Sequence, residues 1–145
     1  METISSVPEL AEHLRIALAR TARRLRQEAG GGLSPTLTAA LAGIERHGPL
    51  TPSELATRER VQRPTATKLV ARLEADGLVT RTADPEDGRS FLIAITPVGG
   101  ERLRAIRTRK DAYLATRLRK LPADDRATLE RAAGILERML EEEHR

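Results

Sequence analysis

The chain has no cysteine among its 145 residues. That excludes disulfides, thiol redox sensing and a zinc ribbon. Tryptophan is absent too, and the only aromatic side chains are Phe91 and Tyr113. A β-sandwich or barrel would lack its usual strand-forming residues, so a mainly α fold is expected. The longest apolar run, Phe91 to Ile95, falls far short of the roughly 18 residues needed to span a membrane. No membrane partner is expected. The opening Met1-Glu-Thr-Ile-Ser-Ser-Val-Pro8 has neither a basic stretch nor an apolar one, so no signal peptide and a cytoplasmic location are expected. His13, His47 and His144 are scattered, and there is no Gly-rich phosphate loop or repeated carboxylate spacing. The residues therefore point to no enzyme, no metal site and no cofactor.

What is present is leucine, alanine and arginine. Twenty Leu and twenty-one Ala favour helix and must supply the core. Basic residues exceed acidic ones, 25 to 21, and twenty-two of the 25 are Arg. Arginine suits phosphate and guanine because its planar fork donates two parallel hydrogen bonds. The same bias follows from GC-rich coding DNA, so only local clusters of Arg carry weight.

Helix boundaries are written plainly. Ser6 to Glu9 has a capping-box pattern, and Ser34-Pro35 places an N-cap before a proline. Thr51-Pro52-Ser53-Glu54 combines both features, while Thr96-Pro97 and Leu121-Pro122 open the last two helices. Gly30-Gly31-Gly32, Gly48-Pro49 and Gly77 mark stops. Helices are predicted over about Pro8–Ala29, Pro35–Arg46, Pro52–Thr57, Arg63–Ala75, Pro97–Lys120 and Pro122–Glu143. Leu78–Thr82 and Phe91–Ile95 read as two strands of a hairpin around the polar turn 83–90. Thr21 interrupts the apolar stripe of the first helix, where its hydroxyl can bond back to a carbonyl one turn earlier.

This order divides into an N-terminal helix (1–33), a middle part with its own small core (34–96) and two C-terminal helices (97–145). The terminal helices carry apolar stripes, including Leu10, Leu14, Leu118, Leu129, Leu136 and Leu140, that the middle part cannot fully cover. A second copy of the chain, in a symmetric homodimer, is the expected partner.

The middle part holds a helix-turn-helix layout. A short capped helix from Thr51 precedes a turn and a second helix with Arg63, Thr65, Thr67, Lys68 and Arg72 on its outer face. Between Arg60 and Arg72 there are four basic residues and no acid. Small Thr side chains permit close approach, and Arg63 and Lys68 can reach guanine or phosphate. The following loop, Asp84-Pro85-Glu86-Asp87-Gly88-Arg89, presents an Arg suited to a narrow minor groove. Asp87 either pins Arg89 or caps the turn. A solvated basic helix face followed by a plain hairpin is the bland alternative.

Together these motifs resemble the MarR family of winged helix-turn-helix transcription regulators. The wing signature stands as Asp84-Pro85-Glu86-Asp87-Gly88-Arg89 followed by Ile95-Thr96-Pro97-Val98-Gly99. Leu73-Glu74-Ala75-Asp76-Gly77-Leu78-Val79 and Val61-Gln62-Arg63-Pro64-Thr65 also fit, and the resemblance spans essentially the whole chain. It implies a homodimer on double-stranded DNA with a pseudo-palindromic operator, usually acting as a repressor. Arg63, Pro64, Thr65, Thr67, Lys68 and Arg72 would lie along the recognition helix, with Asp87, Arg89 and Ser90 in the wing. Ser34 and Thr36 would present backbone N–H groups to phosphate. Members often respond to small aromatic or phenolic anions held between the dimerisation helices and the winged part. Candidate pocket residues here are Arg15, Arg20, His47 and Tyr113. Each has a bland alternative: a solvated face, a helix C-terminus or an interface. The helix from Glu101 to Lys120, with eight basic residues against two acids, extends the phosphate footprint, attracts anionic effectors, or is a solvated face paired with the partner's acidic Glu141-Glu142-Glu143 end. The competing function is a winged-helix interaction adaptor, which would tolerate charge removal from Arg60 to Arg72.

Overall fold

A computed structural model describes residues 5–30 and 32–142. Gly31, Glu143 and His144, named above, lie outside them. Six helices and one hairpin follow in the order α1 (Val7–Ala29), α2 (Pro35–His47), α3 (Pro52–Glu59), α4 (Arg63–Ala75), β1 (Val79–Ala83), β2 (Phe91–Ile95), α5 (Pro97–Arg119) and α6 (Ala123–Glu142). The chain forms two compact units, Met1–Lys110 and Asp111–Arg145.

The caps work as the sequence suggests. Ser6 and Thr51 each close a capping box, with Glu9 and Glu54 respectively. The Ser34 hydroxyl accepts the Leu37 amide at 3.1 Å. Each such cap satisfies an amide left over at a helix start and is worth about 1 kcal/mol. Thr21 does donate back to the Ala17 carbonyl, at 2.7 Å.

In the first unit the core gathers Leu41 and Ile44 of α2, Leu55 of α3, Ala66, Val70 and Leu73 of α4, Leu78 just before β1, Ile93 of β2 and Leu103 of α5. No polar or charged side chain is buried among the described residues. Each fully buried Leu or Ile contributes roughly 1.5–3 kcal/mol of hydrophobic stabilisation. The core is therefore almost purely aliphatic, as the shortage of aromatics requires.

The hairpin is antiparallel and runs from Val79 paired with Ile95 to Ala83 paired with Phe91. Its first strand begins one residue later than expected, because Leu78 serves the end of α4 instead. The Leu78 amide donates to the Leu73 carbonyl at 2.9 Å and the Gly77 amide to the Glu74 carbonyl at 3.0 Å. Gly77 sits at φ 73°. This is a Schellman stop, whose left-handed residue favours glycine. Leu50 adds a third, single-residue rung, exchanging two hydrogen bonds with Ile93 at 3.0 and 2.7 Å.

α3 extends two residues past its expected end, to Glu59. It stops at Arg60, whose φ of 54° and ψ of 46° are left-handed. For a residue with a Cβ this conformation costs roughly 1–2 kcal/mol.

In the second unit the last turns of α5 and all of α6 form a helical hairpin around Lys120–Pro122. Arg126 of α6 closes it by donating to the carbonyls of Leu121 (2.6 Å) and Leu118 (3.4 Å). These carbonyls stand at the end of α5, where helical partners run out.

Candidate nucleic-acid interface

The α4 helix is held from beneath and open above. Ala66, Val70 and Leu73 are buried, and Leu69 packs half-buried against the core. Arg63, Pro64, Thr65, Thr67, Lys68 and Arg72 are all exposed. A single helix thus presents all six outside the core. Thr67 donates its hydroxyl to the Arg63 carbonyl at 3.0 Å, so its hydroxyl is already partnered. Arg72, its side chain 65% exposed, pairs with Asp76 at 3.3 Å. In that exposed setting the pair is worth at most about 1 kcal/mol, so the guanidinium is easily drawn away.

The wing tip is built by two side-chain turns. Asp84 accepts the Glu86 amide and Asp87 accepts the Arg89 amide, both at 3.0 Å. Of the two roles open to Asp87, the structure shows turn capping: its carboxylate takes the backbone of Arg89 and leaves the guanidinium exposed. Ser90 is half-buried, its amide donating to the Asp87 carbonyl at 3.0 Å.

Two devices tie the wing to α4. Arg81 of β1 reaches Glu74 of α4 at 2.7 Å and lies over the Phe91 ring of β2, 4.5 Å from its centroid. The Thr96 hydroxyl donates to the Gly77 carbonyl at 2.7 Å while accepting the Gly99 amide at 3.1 Å. A Cβ on Gly99 would collide with the Leu78 carbonyl. The Thr-x-x-Gly motif is thereby explained: its hydroxyl caps α5 and its glycine lets that helix approach the end of α4.

Ser34 and Thr36 are exposed at the first turn of α2. Ser34 already accepts the Leu37 amide on its hydroxyl and the Thr38 amide on its carbonyl, and Pro35 has no amide, so of the first turn's donors Thr36 is the one left for an anion. Arg15 and Arg20 stand on the exposed surface of α1. His47 is the last residue of α2; partial desolvation, then the guanidinium groups of Arg58 and Arg46, hold its imidazole below the usual value. Tyr113, in the second unit, is half-buried with Arg117 over its ring, 5.4 Å from the centroid.

A cleft of about 690 Å³ opens in the first unit between the end of α1, the start of α2 and α5. Leu25, Ala29, Leu33, Ala39, Leu103 and Ile106 give it an apolar wall, and Arg23, Arg26, Arg107 and Lys110 add positive charge. Arg107 is paired with Glu45 at 2.9 Å. Arg15, Arg20 and His47 do not line this cleft. Its walls come from three separated segments, so no local motif announces it. The only trace in the sequence is the alternation of Arg or Lys with Leu, Ile or Ala over 22–29 and 103–110.

A capped helix, a tight turn, an exposed basic helix and a two-stranded wing define a winged helix-turn-helix. Comparison with known proteins supplies the family. A profile described as the MarR family matches residues 33–91. A helix-turn-helix-type transcriptional regulator of Mycobacterium leprae is 34% identical over 140 residues, covering 96% of this chain and 98% of its own. Among solved structures, a putative transcriptional regulator from Pseudomonas aeruginosa superposes with a TM-score of 0.84 at 31% identity, over 95% of this chain and 98% of its own. A MarR family protein from Bacillus stearothermophilus does so at 0.79 and 26%, covering 92% and 94%. The chain belongs to the MarR family of helix-turn-helix transcriptional regulators. It is a regulator and not an enzyme.

Proposed function

We propose that the protein is a cytoplasmic homodimeric repressor that binds a pseudo-palindromic operator through residues 34–96 of each copy. One observation carries this reading: the exposed face of α4, with no acid between Arg63 and Arg72, stands beside a wing whose tip is an exposed arginine, both fixed to one aliphatic core. α4 enters the major groove, where Arg63 and Lys68 meet guanine or phosphate and Thr65 and Thr67 permit close approach. Arg89 enters the adjacent minor groove, and the first turn of α2 at Ser34 and Thr36 meets a phosphate. Arg72 gives up its exposed pair with Asp76 to reach the backbone.

The dimer rests on the terminal helices. α1 exposes Val7, Leu10, Leu14, Ile16 and Leu18, and α6 exposes Leu129, Ile135, Met139 and Leu140. A small aromatic or phenolic anion releases the DNA, and the cleft's positive charge over an apolar wall supports this part of the reading.

The test is binding to the DNA upstream of the protein's own coding sequence, with and without benzoic and hydroxybenzoic acids. Arg63→Ala and Lys68→Ala are each expected to lose about 1–3 kcal/mol of specific binding. Parent-like binding by both variants would leave the adaptor reading in its place.

A further inference from the structure

Arg60 is the only non-glycine residue with positive φ among the described residues. The turn demands that conformation. Its amide donates to the Ala56 and Thr57 carbonyls, and the next amide, that of Val61, to Ala56 at 3.0 Å. A glycine would meet this demand without steric cost, and an arginine does not. Nothing among the described residues compensates. Arg60 is exposed, and no hydrogen bond or ion pair holds its guanidinium among the described residues.

The surroundings suit an anion. Between Arg58 and Arg72 the one acid is Glu59. Its carboxyl is turned over α2, 2.7 Å from where a Cβ of Gly43 would stand. Val61 packs inward against the core, which leaves Arg60 and Gln62 exposed on either side of it, just ahead of α4.

We propose that Arg60 is a further DNA-binding residue, whose guanidinium takes a backbone phosphate beside the groove that α4 enters. This rests on the DNA reading above. A phosphate contact anchors the protein without reading sequence, so its loss acts alike on every duplex.

The test uses the full chain, a duplex from upstream of its own coding sequence, a scrambled duplex of equal length, and a series of salt concentrations. Arg60→Gly is expected to melt at or above the parent temperature and to bind both duplexes more weakly by a similar factor. Its salt slope is expected to be shallower by about 0.9, which narrows the gap to the parent about threefold between 50 and 200 mM salt. Arg60→Asn, whose side chain tolerates the left-handed region, should repeat this result, and Arg60→Lys should keep the parent slope. Unchanged affinity, an unchanged slope, a loss confined to the upstream duplex, or clearly lower melting of both Gly and Asn variants would each overturn the assignment. A parent that fails to prefer the upstream duplex would instead sink the operator reading itself.

Discussion

The winged lobe and the terminal helices are built from the same residues and use them in opposite ways. In the lobe, Leu41, Leu55, Leu73, Leu78 and Ile93 have no exposed surface at all. On α1, Leu10 and Leu18 are 48% and 46% exposed, and on α6 Leu140 is 63% exposed. α1 is 23 residues long, and Ala29, at its last turn, is the single residue it buries. Leucine thus completes a core in one region and is left facing solvent in the other. Exposed apolar residues in such numbers are the surface on which the proposed second copy would pack.

The largest effect is expected in the lobe. Leu73→Ala should cost about 2–5 kcal/mol in denaturant unfolding, because the fully packed site cannot collapse around the lost methyl groups. A loss near that of a surface change would mean that the lobe is not the stable part. Leu129→Asp probes the other side. It should leave the far-ultraviolet spectrum intact while raising the dimer dissociation constant about thirtyfold or more in sedimentation. An unaltered dimer would move the interface off α6.

Smaller effects sharpen the picture within the lobe. Arg81→Gln removes both the pair with Glu74 and the stacking on Phe91. A loss of about 1 kcal/mol or less is expected on thermal melting, since both contacts are partly solvated. Glu59 gives the smallest effect and a sign. Burial raises its carboxyl above the usual range. The folded state then holds that proton more tightly than the unfolded state, so the group's contribution is lost as pH rises through the raised value. Glu59→Gln should melt slightly above the parent near neutral pH, and the gap should close in acid.

Much of the fold and of the exposed basic surface of α4 and the wing is legible in the amino-acid sequence. The bounds of α4 follow from Pro64 near its start and Gly77 beyond its end, both local signals. Phe91–Ile95 likewise declares itself as a short apolar run behind a polar turn. What the sequence hides is tertiary. Leu50 pairs with Ile93 across 43 residues of chain, and the Thr96 hydroxyl reaches the Gly77 carbonyl across 19. The left-handed Arg60 is hidden because arginine is not a residue that announces a turn. Spacing narrows Asp87 to two roles, and the geometry selects the backbone cap. The cleft residues Arg23, Arg26 and Lys110 come from α1 and α5, and no spacing rule links helices so far apart in sequence.

The central claim is that two copies of the lobe, joined through the terminal helices, read DNA with α4. Hydroxyl-radical footprinting on the upstream duplex tests it most directly. The account predicts two protected patches related by a dyad on one face of the duplex, their centres about one helical turn or 34 Å apart. Both should fade together in Leu129→Asp. A single patch without a dyad, or a pair that survives loss of the dimer, would contradict it.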